Sequence, residues 1–170
     1  METGADVMVG MQVNRAMAFK LSDMINVATA SCQCSQRVDG LIMPIIRLGH
    51  LGPMQIKHLH VLLQALHEKI PSAPLHLSVI RCDPKGGQLM LAHDEMRTWY
   101  PFIVITRRRL AMTNLKGWDD TPWQRSLPIG SVVVPPQETH IHPLEASVEW
   151  RPDILEAFVL NAEGIPVIKI

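Results

Sequence analysis

The stretch that decides the fold runs Val7-Met8-Val9-Gly10-Met11-Gln12-Val13-Asn14-Arg15-Ala16-Met17-Ala18-Phe19-Lys20-Leu21. Apolar residues occupy most of its odd positions, and glycine or polar residues occupy many of the even ones. A strand places successive side chains on opposite faces, so alternation with a period of two is typical of a strand that buries one face. The pattern therefore predicts one long extended strand from Val7 to Leu21.

Helical spacing replaces this alternation at two places. Ser22 is a suitable N-cap and Asp23 a favourable carboxylate in the first turn, which predicts a helix from about Asp23 to Arg37. Pro53 suits the first position of a helix, and Pro71 ends one. The residues between these prolines include one apolar stripe: Ile56, Leu59, Leu63, Leu66 and Ile70. The sequence therefore predicts two main helices, the second of which begins at Pro53.

The run from Leu41 to Leu48 is ambiguous. It is almost wholly apolar, but it contains Pro44, which lacks the N–H group that a central strand needs. Two alternatives stay open at this point: a buried edge strand with a bulge, or a short helix.

The second half of the chain has the strand and turn signals of a sheet. Leu75 to Val79 and Gln88 to Leu91 flank the turn-forming stretch 83–87, which predicts an antiparallel hairpin. A second hairpin is predicted around the turn at 161–164. Further elements are predicted as follows: strands at Phe102 to Ile105, Ser131 to Val134 and Ala146 to Trp150, and a long loop from Asn114 to Gly130.

These elements together predict one α+β domain over residues 1–170, in which a mixed or antiparallel sheet packs against the two main helices. The residues expected in the core come from the predicted strands and from both predicted helices: Val9, Met11, Val13, Phe19, Ile25, Leu59, Leu63, Leu66, Val104 and Val159.

Composition narrows the class of protein. Hydrophobic residues make up 47% and charged residues 19% of the 170 residues, which is too apolar for a disordered chain. Sixteen basic and sixteen acidic residues give zero net charge, which favours association and argues against bulk attraction to nucleic acid. Three cysteines without framework spacing indicate a reducing compartment, and neither a signal peptide nor a membrane span is expected.

One pattern could support an enzyme. On a strand, Glu138, His140 and His142 would lie on one face, where two imidazoles and a carboxylate could bind a metal ion. The alternative function is therefore a small metal-dependent enzyme or metal-binding domain. Histidines beside prolines are more often surface residues of a loop, so we expect no metal and no other cofactor. The defining residues of serine hydrolases, P-loop proteins and Rossmann proteins do not occur.

The strongest binding signal is a mixture of cationic and indole side chains after the predicted strand at Phe102 to Ile105. Its members are Arg107, Arg108, Arg109, Lys116, Trp118, Trp123 and Arg125. Arginines bind phosphates, and indoles stack on bases or lie at a lipid interface. We therefore predict a membrane- or phosphate-binding segment, with a solvated strand end and a folded-back loop as the structural alternative.

The first third of the chain resembles the globular core of rhabdovirus matrix proteins, of the compact plant-infecting (cytorhabdovirus-like) type. In that family an alternating strand leads to a Phe, a Ser-Asp-capped helix and an apolar segment that ends in Leu-Gly. The corresponding residues here are Val9 to Val13, Phe19, Ser22-Asp23 and Ile46 to Gly49. The strand Leu75 to Ile80 and the terminal hairpin around Glu163-Gly164 also look similar to that family, in the same order.

The resemblance implies a non-enzymatic structural protein of the virion. Such a viral matrix protein would self-associate into a homo-oligomer, bind and condense the viral nucleocapsid or ribonucleoprotein, and contact the viral glycoprotein tail. It would be membrane-associated, at the inner leaflet of the viral or host membrane. Its expected location is the virion, under the envelope, and the host cell cytoplasm with peripheral endomembrane.

Overall fold

The computed structural model describes residues 3–30, 34–36, 41–82, 88–93, 97–123, 126–132, 137–138 and 140–170. These residues form three helices: α1 (Arg15–Ala28), α2 (Pro53–His67) and α3 (Trp99–Ala111). They also form nine strands: β1 (Ala5–Gln12), β2 (Cys34–Gln36), β3 (Ile42–Leu51), β4 (Leu75–Cys82), β5 (Gln88–His93), β6 (Ser126–Val132), β7 (His140–Trp150), β8 (Glu156–Leu160) and β9 (Pro166–Lys169).

The strands pair into two sheets. One has the order β3-β1-β8-β9 and the other β2-β6-β5-β4-β7. Every pairing is antiparallel. The predicted α+β class is confirmed, although the strands form two sheets and a third main helix is present.

The helices and both sheets contribute to the same buried core. Its members include Leu21 and Ile25 of α1, Leu63 of α2, Val9 of β1 and Leu77 of β4. The other face of the first sheet carries a smaller buried cluster: Met8, Ile42, Phe158 and Leu160. That sheet is therefore apolar on both faces. Among the described residues, no helix is long and apolar enough to cross a membrane.

The predicted long strand is right up to Gln12 and wrong beyond it. Asn14 has extended backbone angles, and its Oδ1 accepts a hydrogen bond from the Met17 N–H at 2.8 Å. This cap begins α1 at Arg15, well before Ser22, and the helix ends at Ala28, before the predicted end at Arg37. The alternation continued into the helix by coincidence, and Phe19, placed in the core by that pattern, is 65% exposed.

The run Phe102 to Ile105 was also misassigned, because it lies inside α3. The buried residues of this helix follow helical spacing: Trp99, Phe102, Ile103, Thr106 and Leu110. Four consecutive apolar residues have no period, so they cannot distinguish a buried strand from a buried helix. The flanking residues carry the helical pattern.

Other predicted elements are confirmed. Helix α2 begins at Pro53, and β3 is an edge strand with a register shift near Pro44. Both predicted hairpins form, as β4–β5 and β8–β9. The predicted loop ends early because β6 begins at Ser126, and β7 begins at His140 rather than Ala146. Apart from Phe19, the predicted core is buried, with Val104 and Val159 only half-buried.

Candidate functional site

One side of α3 forms the wall of an open cavity of about 330 Å³. The residues on this wall recur at the i, i+3, i+4, i+7 and i+8 positions of one helix face: Tyr100, Ile103, Val104, Arg107 and Arg108. Its inner part is apolar and its C-terminal part carries two guanidinium groups. The helix therefore contributes an apolar surface to the cavity and, next to it, two positively charged side chains.

The opposite wall comes from the chain that follows α3. Trp118, Asp120, Pro122 and Trp123 line the cavity from this side. Both tryptophans are half-buried, and Asp120 is exposed. The cavity thus combines aromatic surface with charges of both signs.

The segment 114–123 is held in place along the edge strand β3. The Asn114 amide nitrogen donates to Leu48 O at 2.9 Å, the Asp119 N–H donates to Arg47 O at 2.8 Å, and Trp123 Nε1 donates to Pro44 O at 3.1 Å. These bonds satisfy carbonyl groups that an edge strand leaves unpaired. The last of them also fixes the position of the Trp123 indole.

Arg107 lies between two cavities. A second cavity of about 190 Å³ shares Arg107, Pro122 and Trp123 with the first, and Arg47, Asp119 and Thr121 contribute to its lining. The Arg107 Nη2 donates to Thr121 O, which ties α3 to the segment. Its Nε is buried and has no acceptor among the described residues. A buried donor without a partner lowers stability.

Hydrogen bonds from Thr121 hold Asp119, which lines the second cavity, in its ionised form. Hydrogen bonds from the Thr121 hydroxyl and the Thr121 N–H lower the pKa of the Asp119 carboxyl, and the charges of Arg47 and Arg107 lower it further. Burial opposes these effects. Asp119 is therefore ionised at neutral pH and offsets part of the positive charge in the second cavity.

The predicted binding segment is only partly brought together. Arg107, Arg108, Trp118 and Trp123 line the larger cavity, whereas Arg109 and Lys116 do not, and Arg125 lies outside the described residues. The sequence analysis missed Tyr100, Ile103, Val104, Asp120 and Pro122. Helical spacing from Tyr100 to Arg108 was the available signal, and assigning this run to a strand hid it.

The histidines considered for metal binding lie on the exposed edge strand β7. The rings of His140 and His142 stack with centroids 6.4 Å apart. Across the described part of the chain, no three His, Cys, Asp or Glu side chains are grouped to hold a metal ion. Glu138 is exposed and does not complete such a group.

The fold is similar to that of several solved structures, and one of these is described as a phosphoesterase. The E. coli LigT structure complexed with 3'-AMP matches with a TM-score of 0.67 and 10% identity, over 98% of this chain and 97% of that one. A structure described as a phosphoesterase matches with a TM-score of 0.64 and 12% identity, over 98% and 97%. The PDE domain of MHV ns2 matches with a TM-score of 0.54 and 13% identity, over 97% and 99%.

Sequence comparison alone does not reveal this relationship. No protein-family model and no curated protein matches the sequence. At such low identity the structural matches establish the shared fold and nothing about individual residues.

The resemblance to rhabdovirus matrix proteins is wrong. Solved structures that share this fold over almost the whole chain include a phosphoesterase and a PDE domain, and this finding overturns the expected non-enzymatic matrix protein. The expected nucleocapsid, membrane and glycoprotein-tail partners are overturned with it, since a fold neighbour binds 3'-AMP. The first-third residues that carried the resemblance belong mainly to β1, α1 and β3, and such a combination of strands and a helix is too common to identify a family.

Proposed function

We propose that this chain is a phosphoesterase that binds a nucleotide-type phosphate ester in the cavity beside α3. The observation that carries the proposal is that Arg107 and Arg108 share one open cavity with Trp118 and Trp123. Solved structures with this fold contain 3'-AMP and ATP, which supports a ligand of the same kind.

The phosphoryl group would bind at the cationic edge of the cavity. Planar guanidinium groups donate two parallel hydrogen bonds to phosphate oxygens, and these charge-assisted bonds are stronger than neutral ones. Arg108 is exposed, Arg107 is half-buried, and both line the cavity. Both guanidinium groups can therefore contribute donors to a ligand.

The nucleobase of the ligand would bind in the part of the cavity that Trp118 and Trp123 line. Indole faces bind nucleobases by stacking, a contribution of about 1–3 kcal/mol per base. Because Trp123 Nε1 is bonded to Pro44 O, the ring is held before a ligand arrives. The cavity volume of about 330 Å³ falls within the range common for small-molecule sites.

Hydrolysis needs a proton acceptor, and Asp120 is the one carboxylate among the described residues that line the cavity. We assign it the role of general base. Water attacks phosphorus and gives its proton to Asp120, the ester P–O bond breaks, and the departing alcohol oxygen takes a proton from solvent. Arg107 and Arg108 stabilise the negative charge that develops on the phosphoryl oxygens.

Calorimetric titration with 3'-AMP tests the binding step. Arg108→Ala should weaken affinity at least about tenfold, since it removes charge-assisted hydrogen bonds. Arg109→Ala is the matched control, because Arg109 is the next exposed arginine of α3 and does not line the cavity. The proposal fails if the wild type does not bind, or if both variants weaken binding equally.

A second assay separates chemistry from binding. Hydrolysis of bis(p-nitrophenyl) phosphate should be lost in Asp120→Asn, while affinity for 3'-AMP should change little because the amide keeps the size of the side chain. Unchanged turnover in this variant would remove Asp120 from the mechanism.

A further inference from the structure

We propose that Thr121 is a phosphorylation site for a proline-directed protein kinase, and that phosphate on its Oγ1 takes Arg107 away from the ligand cavity. The first half of this proposal is independent of the function proposed above, and the second half rests on it. Thr121 lines the smaller cavity, and Arg107 lies in the walls of both.

The local chain has the form that such kinases recognise. Thr121-Pro122 is the only Ser-Pro or Thr-Pro pair in the sequence. Both residues are exposed and lie outside helices and strands. A residue before proline is restricted to extended backbone conformations, so the pair is displayed in the shape of a bound peptide.

The hydroxyl sits between a carboxylate and a guanidinium group. Thr121 Oγ1 donates to Asp119 Oδ1, while Thr121 O accepts from Arg107 Nη2. A phosphate next to Asp119 would be repelled by that carboxylate, and one next to Arg107 would gain charge-assisted hydrogen bonds. The Arg107 Nη2, which already reaches the Thr121 carbonyl, supplies a donor for the new group.

Phosphorylation would therefore exchange the partner of Thr121. The kinase transfers the γ-phosphoryl group of ATP: an Oγ1–P bond forms, the bond to the leaving ADP breaks, and the hydroxyl proton passes to the catalytic base of the kinase. The product carries nearly two negative charges at neutral pH. It breaks the hydrogen bond from the Thr121 hydroxyl to Asp119 and pairs with Arg107 instead, while the Thr121 N–H bond to Asp119 can remain.

This exchange changes the larger cavity without blocking it. Pro122 and Trp123 form a wall common to both cavities, and Arg107 is the shared cation. A guanidinium group bound to a phosphate on one side has fewer donors for a phosphate on the other. The phosphorylated chain should consequently bind phosphate esters more weakly.

The site itself is tested by treating the full chain with a purified proline-directed kinase and ATP, followed by intact mass and peptide mapping. One phosphate on Thr121 is the expected result, with none added to that position in Thr121→Ala. The proposal is overturned if the wild type gains no phosphate while a Thr-Pro peptide in the same tube is fully modified.

The partner exchange is tested by the Arg107 Nε–H proton resonance, assigned by its loss in Arg107→Ala. Phosphorylation should move it, because a phosphate paired with Nη2 changes the charge around the whole guanidinium group, and should leave the resonance of Arg109 unchanged. An unmoved Arg107 resonance overturns the exchange even if Thr121 is modified.

The consequence for binding is tested with 3'-AMP before and after kinase treatment. Affinity should fall at least about tenfold in the wild type. Thr121→Ala should show the same affinity before and after treatment. Equal affinity in both wild-type samples overturns the regulatory role, whereas absence of binding in the untreated chain counts against the proposed function and leaves the two preceding results standing.

Discussion

At the scale of single residues, two buried threonines in and next to α3 differ in their hydrogen bonding. Thr106, within α3, is fully buried, and its Oγ1 has no partner among the described residues. Thr113 lies just beyond the same helix, is also buried, and donates from Oγ1 to Leu110 O at 2.7 Å. An unpaired buried hydroxyl lowers stability, whereas a paired one contributes to it.

Replacement by valine separates the two cases, because valine has almost the same shape and a similar helix propensity. Thr106→Val should raise the free energy of unfolding by about 1 kcal/mol, and Thr113→Val should lower it by about 1 kcal/mol. Urea denaturation of the two variants measures both changes. A loss of stability in Thr106→Val would show that its hydroxyl has a partner after all.

At the scale of elements, the contact between β3 and the segment 114–123 shapes both cavities. Gly49 of β3 has a φ of +74°, and a Cβ at this position would lie 2.3 Å from Gly117 O. Only glycine accepts both this backbone conformation and such a close approach. The glycine thus lets the segment lie directly on the edge strand and present Trp118 and Trp123 to α3.

Gly49→Ala should therefore lower the free energy of unfolding by about 2 kcal/mol or more. Gly52→Ala is the control, because Gly52 has a φ of −79° and a Cβ there would lie 3.7 Å from its nearest neighbour, Gln55 Oε1. We expect the control to cost less than about 1 kcal/mol. Thermal unfolding measures the loss of stability in both variants. Equal losses of stability in Gly49→Ala and Gly52→Ala would contradict the steric argument.

At the scale of the whole molecule, the two sheets share a core. Trp99 of α3 and Trp150 of β7 lie in the same buried cluster as Val9 of β1. Trp99 Nε1 also donates to Ala73 O at 2.9 Å, which joins α3 to the chain before β4. Packing of this kind couples the loss of one sheet to the loss of the other.

The predicted single domain over residues 1–170 can be tested by the cooperativity of unfolding. Urea transitions followed by tryptophan fluorescence and by far-UV circular dichroism should coincide, as they do when no intermediate accumulates. Thr106→Val should shift both curves by the same amount. Two separate transitions, or a shift in only one of them, would instead indicate two units that unfold independently.

Elements with a regular pattern and clear boundaries could be predicted from the sequence. Helix α2 has an apolar stripe between two prolines, and the hairpin β4–β5 surrounds a turn-rich stretch. The start of α1 could have been found as well, since Asn14 is a good N-cap residue. The alternation of apolar and polar residues on both sides of Asn14 favoured a strand instead. The chain is helical here because the helix buries Leu21 and Ile25 in the core.

The sequence by itself determined the α+β class, the order of most elements and four residues of the candidate site: Arg107, Arg108, Trp118 and Trp123. These conclusions rest on patterns that extend over a few neighbouring residues. Only the tertiary structure decided that the Phe102 run is helical, that Tyr100 and Asp120 line the candidate site, and that the fold is shared with a solved phosphoesterase structure. The physical reason is that these features depend on burial and hydrogen bonds between distant segments, such as Trp123 with Pro44, which no local pattern records.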